Sequence, residues 1–168
     1  MIQKKICMLG GFAVGKTSMV ARFVSSIFSD KYLSTVGVKI DKKTVTIDGC
    51  DVVLVLWDIY GQDAFQTVQS SYIRGASGYL LVVDGTRIDT FATARELHQA
   101  AVDTIGDAPF VLALNKSDLA SEWQIDDKAL FDAAERGWPM VRTSAKTGAG
   151  VEQAFERLTR AMLAADER

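Results

Sequence analysis

The feature that most constrains this chain is the segment Gly-Gly-Phe-Ala-Val-Gly-Lys-Thr at residues 10–17, which directly follows the apolar run 6–9. A buried strand that leads through a glycine-containing loop into a helix turns backbone N–H groups toward one point, at the positive end of the helix dipole. Such a loop binds di- and triphosphates. Lys16 adds a charge near the outer phosphates, and the Thr17 hydroxyl is placed to bind an accompanying magnesium ion. The other predicted nucleotide contacts of this segment are Gly10, Ala13, Val14, Gly15 and Ser18.

Composition limits the classes of protein to consider. The chain has 168 residues, of which 48% are hydrophobic, so it can bury one good core, and we expect one domain over residues 1–168. The net charge is -2 and no basic stripe is present, so nucleic acid is not an expected partner. Cys7 in the first strand and Cys50 in a turn are predicted to be reduced, and His98 is predicted to lie at the surface. No apolar run approaches the roughly 18 residues that span a bilayer, so we expect a cytoplasmic protein.

Strand and helix patterns alternate along the chain. Asp48-Gly49 separates two β-rich runs and predicts a hairpin with antiparallel strands. The later apolar runs do not alternate, which is typical of parallel strands buried on both faces. The pattern predicts a doubly wound α/β domain with its ligand at the carboxyl ends of the strands. The predicted strands are 6–9, 38–47, 51–57, 78–83, 110–114 and 140–142, and the predicted helices are about 16–25, 90–104, 126–136 and 151–165.

Three further short motifs fall near those carboxyl ends. Asp58 ends a strand and can hold magnesium, and Gly61 lets a backbone N–H approach the terminal phosphate. In isolation this Asp-x-x-Gly pattern is more typical of a plain turn. Ser144-Ala145-Lys146 follows the strand 140–142 and can offer a backbone N–H to a guanine carbonyl. Each motif alone is a weak signal, but their order together with the phosphate loop favours a nucleotide site.

The segment Asn115-Lys116-Ser117-Asp118 decides which base is expected, and it directly follows the strand 110–114. The Asp118 carboxylate can accept hydrogen bonds from both the ring N–H and the exocyclic amine of guanine. Adenine offers no such donor pair on that edge. Asn115 is predicted to tie loops together, and the Lys116 stem to cover the face of the base.

With these motifs the chain resembles the Ras-superfamily small GTPases over its whole length, and it is most similar to the Rab branch. The resemblance implies the small G domain of the P-loop NTPases, a molecular switch whose GTP-bound and GDP-bound forms differ in two loops that partner proteins read. The residues that carry it are Tyr-Leu-Ser-Thr-Val-Gly-Val at 32–38, Leu-Trp-Asp at 56–58, Gly61-Gln62, Ser-Ser-Tyr-Ile-Arg-Gly-Ala at 70–76, Thr-Ser-Ala-Lys at 143–146 and Val-Glu-Gln-Ala-Phe at 151–155.

The resemblance also assigns roles to residues that their local sequence leaves open. Switch I would be 29–37, where Thr35 would bind Mg²⁺ and the γ-phosphate, and Phe28 just before it would pack edgewise on guanine. Switch II would be 58–71, where Gln62 would orient the attacking water, with Lys16 and Thr35 as the other catalytic residues. Effectors, exchange factors and activators would bind through the two switches, and a monomer is expected. Taken alone, Thr35 and Gln62 read as ordinary loop residues.

Two aromatic residues depart from the family pattern at the catalytic edge. The family has a small residue where Phe12 stands and almost always alanine where Tyr60 stands, and Ile59 replaces the usual threonine. Two bulky rings could pack together and block an incoming arginine, or both could point to solvent. We therefore expect slow hydrolysis and retain the alternative of a binding module that holds nucleotide without efficient turnover. A third alternative, a P-loop kinase or ATPase, is disfavoured by the guanine motif at 115–118.

The end of the sequence also differs from a typical Rab. It closes on Ala-Ala-Asp-Glu-Arg at 164–168, directly after the last predicted helix, with no cysteine to prenylate and no polybasic tail. From this sequence we expect no intrinsic membrane anchor.

Overall fold

A computed structural model describes residues 1–28, 38–59 and 70–168, and within these ranges six strands form one sheet in the order β2-β3-β1-β4-β5-β6. The pair β2/β3 is antiparallel and every other neighbouring pair is parallel. The predicted fold class is therefore confirmed: a mostly parallel six-stranded sheet with one antiparallel hairpin at its edge. The strands are β1 (Ile2–Gly10), β2 (Val38–Ile47), β3 (Cys50–Ile59), β4 (Gly78–Asp84), β5 (Phe110–Asn115) and β6 (Met140–Arg142).

Helices cover both faces of this sheet. They are α1 (Lys16–Ser25), α2 (Ser70–Ile73), α3 (Asp89–Ile105), α4 (Asp127–Glu135) and α5 (Val151–Asp166), and a short 3₁₀ helix spans Ala120–Glu122. On one face α1 and α5 pack over the sheet, where the rings of Phe23 and Phe155 stack with centroids 4.0 Å apart. On the other face α3 and α4 cover a second core cluster. None of the helices in the described ranges has the length and apolar character needed to cross a bilayer.

The strand patterns explain which edge is solvent-exposed. Every residue of β4 is buried, as expected for a central parallel strand, whereas the residues of β2 at the edge are exposed or half-buried except Ile47 at its end. β1 extends further than its apolar run, because Lys4 and Lys5 also pair with β3. Lys4 can occupy a central strand because its amine reaches Asp166 at the end of α5.

The predicted hairpin is present between β2 and β3. Asp48 and Gly49 both have positive φ, 49° and 79°, which is the backbone that a two-residue turn of the type I′ class requires. Ile47 pairs with Cys50, so Cys50 is the first residue of β3 and not a turn residue as predicted. Both cysteines are free thiols.

The expectation that His98 lies in solvent on α3 is wrong. Its ring is half-buried among Tyr79, Phe110 and Trp138, and its Nδ1 lies 2.8 Å from the Tyr79 hydroxyl. The polar neighbours of His98 in the sequence face outward, but the helical turn places the histidine itself over Phe110 at the start of β5. The four rings pack α3 against the sheet.

Parallel pairing brings the predicted motifs together at the carboxyl ends of the strands. Gly10 lies opposite Val82, Asp84 lies opposite Asn115, and β3 carries Asp58 to the same end of the sheet. Because the carboxyl ends of parallel strands meet there, the loops that follow β1, β4 and β5 are neighbours in space.

Candidate functional site

The phosphate loop, residues 10–17, has a backbone that only some residues can adopt. Ala13 and Gly15 have positive φ, 60° and 104°, and Gly15 is the N-cap of α1. A β-carbon on Gly15 would lie 2.3 Å from the Asn115 amide nitrogen, and one on Gly10 would lie 2.6 Å from the Val82 carbonyl oxygen. Both glycines are therefore required by close contacts, and Gly15 also by its φ.

The start of α1 faces this loop and supplies its charge. The first N–H groups of a helix lack intrahelical partners, so the N–H groups of Lys16 and the residues after it are available to an anion. The Lys16 side chain is only 6% exposed, and its ammonium donates to the carbonyl oxygens of Gly10 and Gly11, at 3.0 Å each. Burial lowers the pKa of Lys16 to about 8, although the neighbouring Asp58 acts in the opposite direction. An anionic ligand would stabilise the charged form in the same place.

Two hard oxygen donors lie beside Lys16. The Thr17 hydroxyl donates to Asp58 Oδ2 at 2.5 Å, and the Asp58 side chain is buried at the end of β3. A hydroxyl and a buried carboxylate next to a phosphate-binding loop are the ligand types that Mg²⁺ prefers. The residues present therefore fit the expected metal. The remaining predicted residues of this part of the site, Thr35, Gly61 and Gln62, lie outside the described residues, as do Tyr60 and most of both predicted switches.

Two residues of the guanine motif hold the phosphate loop from behind. Asn115 Nδ2 donates to the Val14 carbonyl oxygen at 3.0 Å, and its Oδ1 accepts from the buried Thr143 hydroxyl. Lys116, which has a positive φ of 68°, places its ammonium 3.2 Å from the Ala13 carbonyl oxygen. The loop that follows β5 is thus joined to the loop that follows β1.

The predicted base-recognition residues also meet in space. Asp118 is exposed, and its Oδ1 accepts a hydrogen bond of 2.7 Å from the buried Ser144 hydroxyl. Ser144 Oγ also accepts from the Thr147 N–H, so the carboxylate and the loop that begins at Ser144 are held in one orientation. Ala145 is buried beneath this loop and Lys146 is exposed on it.

Three supporting residues were missed by the sequence reasoning. Arg22 on α1 donates from its guanidinium to the carbonyl oxygens of Ala145 and Lys146. Asp84 ends β4 and contacts the guanine motif, and Arg87 follows β4 and contacts the phosphate loop. A signal for Asp84 was available, because an acid that ends a fully apolar strand at the ligand edge is expected to have a function there. No comparable signal marked Arg22 or Arg87.

Two phenylalanines next to the site, Phe12 and Phe28, are surface residues. Phe12 on the phosphate loop is 49% exposed, and Phe28, just before the first predicted switch, is 37% exposed. Ile59, by contrast, is buried at the end of β3. The phenyl ring of Phe12 therefore lies at the rim of the phosphate loop and not in the core.

Comparisons with known proteins match the chain to one family over most of its length. The family model "Ras family" matches residues 5–164. The chain is 36% identical to Ras-related protein Rab-1D of Dictyostelium discoideum and 39% identical to Ras-related protein Rab-1C of the same organism. It is 36% identical to GTP-binding protein YPTM1 of Zea mays. These alignments cover 93%, 92% and 94% of this chain and 78%, 78% and 77% of the relatives. The chain therefore belongs to the Rab branch of the Ras family of small GTPases and is a GTP-binding switch.

Proposed function

We propose that this protein binds GTP and GDP together with Mg²⁺ and hydrolyses GTP slowly to GDP and phosphate. One observation carries the proposal. The phosphate loop, the Thr17–Asp58 oxygen pair and the Asp118–Ser144 pair lie at the same sheet edge, and Asn115 and Lys116 bond directly across the gap between the loops. Phosphate, metal and base contacts are thereby supported in one site.

The phosphate end of the nucleotide binds where α1 begins. Backbone N–H groups of the phosphate loop and the Lys16 ammonium neutralise the β- and γ-phosphates. Thr17 and Asp58, together with Thr35 from switch I, are the residues that would hold Mg²⁺. When bound, the metal neutralises charge on the phosphate oxygens. Ser18 and Gly61 provide further contacts to the phosphates.

The base end is chosen by Asp118, whose carboxylate accepts two hydrogen bonds from guanine. The Ala145 and Lys146 segment offers its N–H groups to the guanine carbonyl, and Phe28 packs against the ring edge.

Asp118→Asn should weaken GTP binding by about 100-fold and favour xanthine nucleotides, because an amide can donate to the extra carbonyl. Competition binding with GTP, ATP and xanthosine triphosphate measures this. Asp127→Asn, an exposed acid on α4, is the matched control and should change nothing. Equal competition by ATP against the wild type would contradict the guanine assignment.

Hydrolysis depends on Gln62, which orients the attacking water, and on what surrounds it. Intrinsic turnover in switches of this kind is on the order of 10⁻⁴ s⁻¹, and an arginine supplied by an activator can add about 10⁵-fold. The half-exposed ring of Phe12 supports a steric barrier on the path of such an arginine. The same barrier also supports the alternative function, a binding module that holds nucleotide without efficient turnover.

Replacement of Phe12 tests the barrier. Phe12→Ala should leave intrinsic turnover near the wild-type value and make the protein responsive to an arginine-finger activator, with at least about tenfold faster single-turnover hydrolysis. Phe12→Ala combined with Tyr60→Ala should lower the activation free energy of activator-stimulated hydrolysis by more than the two single changes added together. The reason is that the two rings are expected to share one space. Phe131→Ala removes an exposed phenyl ring from α4 and is the control. Wild-type turnover of about 1 s⁻¹ without a partner would contradict the barrier.

Partner proteins are proposed to read the nucleotide state through switches I and II. The expectations of a monomer and of a cytoplasmic location stay predictions.

A further inference from the structure

Asp84, the last residue of β4, gathers donors from three places. Its side chain is 1% exposed, and its Oδ2 lies 2.8 Å from the Lys116 ammonium and 3.0 Å from Arg87 Nε. Its Oδ1 accepts from the N–H and the hydroxyl of Thr86, at 2.9 and 2.6 Å. A buried carboxylate with this many donors is satisfied and charged. Burial alone would raise the pKa of Asp84, but the hydrogen bonds from Lys116, Thr86 and Arg87 outweigh it and lower the pKa.

The two cationic side chains that bond to Asp84, Arg87 and Lys116, also donate to carbonyls of the phosphate loop. Arg87 Nη2 donates to the Phe12 carbonyl oxygen at 2.7 Å, and Lys116 Nζ lies 3.2 Å from the Ala13 carbonyl oxygen. Asn115 donates to the next carbonyl, that of Val14. Three consecutive carbonyls, at positions 12, 13 and 14, are thus bound by side chains from the loop after β4, from the loop after β5 and from the last residue of β5.

The effect on the other side of the loop follows from peptide geometry. A trans peptide group is planar, and its C=O and N–H point in opposite directions. The described residues contain no cis peptide bond. A donor that fixes the Phe12 carbonyl therefore aims the Ala13 N–H away from Arg87, and the two donors after it do the same for positions 14 and 15. The N–H groups opposite the bonded carbonyls are thereby preset as donors for an anion.

The segment that carries Arg87 is itself held firmly. The Thr90 hydroxyl accepts from the N–H of Asp84 and donates to its carbonyl. The Gly85 N–H donates to the Asn115 carbonyl, and the Gly85 carbonyl accepts from the Gln124 N–H. A β-carbon on Gly85 would lie 1.9 Å from the Trp123 ring, so that ring packs directly on the backbone. The backbone segment that carries Arg87 is therefore fixed by hydrogen bonds and packing when Arg87 contacts the phosphate loop.

We propose that Arg87, oriented by Asp84, is a positioning residue that holds the phosphate loop in its nucleotide-binding shape. This rests on the proposed function, because the loop must bind phosphates for its shape to matter. Arg87 contacts a backbone carbonyl and acts through the N–H groups on the other side of that backbone. Loss of the contact lets the peptide between Phe12 and Ala13 rotate, and the dissociation rate of nucleotide rises.

The test compares Arg87→Ala with Arg95→Ala, which removes an exposed arginine of α3 that packs over Phe91. Dissociation of a fluorescent GDP from the Mg²⁺-loaded full chain is measured for both and for the wild type. Loss of one charge-assisted hydrogen bond predicts about tenfold faster dissociation for Arg87→Ala and no change for Arg95→Ala. Arg87→Lys should recover only part of the effect, since an ammonium lacks the planar fork that spans Asp84 and the carbonyl.

Amide hydrogen exchange gives a readout that general destabilisation would not reproduce. Arg87→Ala should raise exchange in the peptide covering residues 10–17 and leave that covering 110–115 unchanged. Equal dissociation rates for Arg87→Ala and Arg95→Ala, or a uniform rise in exchange across both peptides, would overturn the positioning role. If the wild type binds no guanine nucleotide, the proposed function itself fails, and that outcome is seen before any variant is compared.

Discussion

Two loops at the same sheet edge are held in different ways. The phosphate loop has three carbonyls, at positions 12, 13 and 14, that are bonded by side chains from elsewhere in the chain, namely Arg87, Lys116 and Asn115. The base-recognition loop, residues 143–149, is held largely by its own atoms, because Ser144 bonds Thr147, Gly148 and Ala149 within it. Its long-range supports include the carbonyl contacts from Arg22, the Asp118 carboxylate that accepts from the Ser144 hydroxyl, and the Asn115 side chain that accepts from the Thr143 hydroxyl.

The difference follows from what each loop must present. A phosphate loop must aim several N–H groups at one highly charged ligand, which leaves the opposite carbonyls in need of donors. The base-recognition loop presents only a few groups to a flat ring, and a short turn can satisfy itself. Damage to the carbonyl side of the phosphate loop can therefore arise from several distant residues. Damage to the base-recognition loop is expected mainly from within it and from its contacts with Arg22, Asn115 and Asp118.

The largest expected effect breaks the phosphate loop directly. Gly15→Ala would place a β-carbon 2.3 Å from Asn115 Nδ2 at a backbone φ of 104°. The loop and Asn115 must then separate, and we expect at least about 100-fold weaker GDP binding, or roughly 3 kcal/mol. Equilibrium titration with GDP and Mg²⁺ measures this.

Gly49→Ala separates backbone strain from the steric clash. Gly49 also has a positive φ, 79°, but a β-carbon there would meet nothing within 4 Å. We expect it to lower the free energy of unfolding by about 1 kcal/mol and to leave GDP affinity unchanged. Similar GDP affinities for the two alanine variants would show that the contact with Asn115 does not shape the site.

A smaller effect is expected in the base-recognition loop from Arg22→Ala. The change removes the guanidinium contacts to Ala145 and Lys146, and it should speed dissociation of GDP and GTP equally, by about tenfold. Equal loss is expected because both nucleotides carry the same base. Arg157→Ala is the control, since Arg157 donates to a single carbonyl, that of Met140, away from the base. A loss confined to GTP would instead place Arg22 in control of the phosphates.

The smallest effect is expected outside both loops, at His98. Burial lowers the pKa of His98 below 6.5, Arg136 lowers it further, and Asp107 opposes them. The folded state thus favours the neutral ring, and its stabilisation is complete above pH 6.5. It is lost as the pH falls from 6.5 through the lower pKa of the folded state, because the unfolded chain binds the proton first.

Urea unfolding between pH 5 and 8 measures that contribution. His98→Gln should remove this part of the pH dependence while leaving nucleotide affinity at neutral pH unchanged. His98 is the only histidine of the chain, so the difference between the two pH profiles is assigned to one residue. An unchanged profile in His98→Gln would show that the ring already titrates as it does in solvent.

Much of the fold and of the site was predictable from local patterns. The apolar runs located all six strands, although β1 and β3 extend beyond them because neighbouring strands pair with polar residues such as Lys5. The buried faces of α3 and α5 agree with their periodicity. The placement of His98 was not predictable, since a helical pattern with a polar neighbourhood does not show that Tyr79 and Trp138 approach from other elements.

The sequence by itself determined the ligand class, because a phosphate loop needs its glycines and lysine at set spacing and a guanine-selective loop needs its carboxylate. Spacing along the chain carries this information, since each motif is completed within one loop. Only the tertiary structure decided what supports those loops. Arg22 and Arg87 donate to backbone carbonyls 75 to 124 positions away, and Asp84 holds the side chains of Arg87 and Lys116. Such contacts depend on how strands are ordered in the sheet. A carbonyl can accept from any side chain that the fold brings near, so no local pattern records the partner.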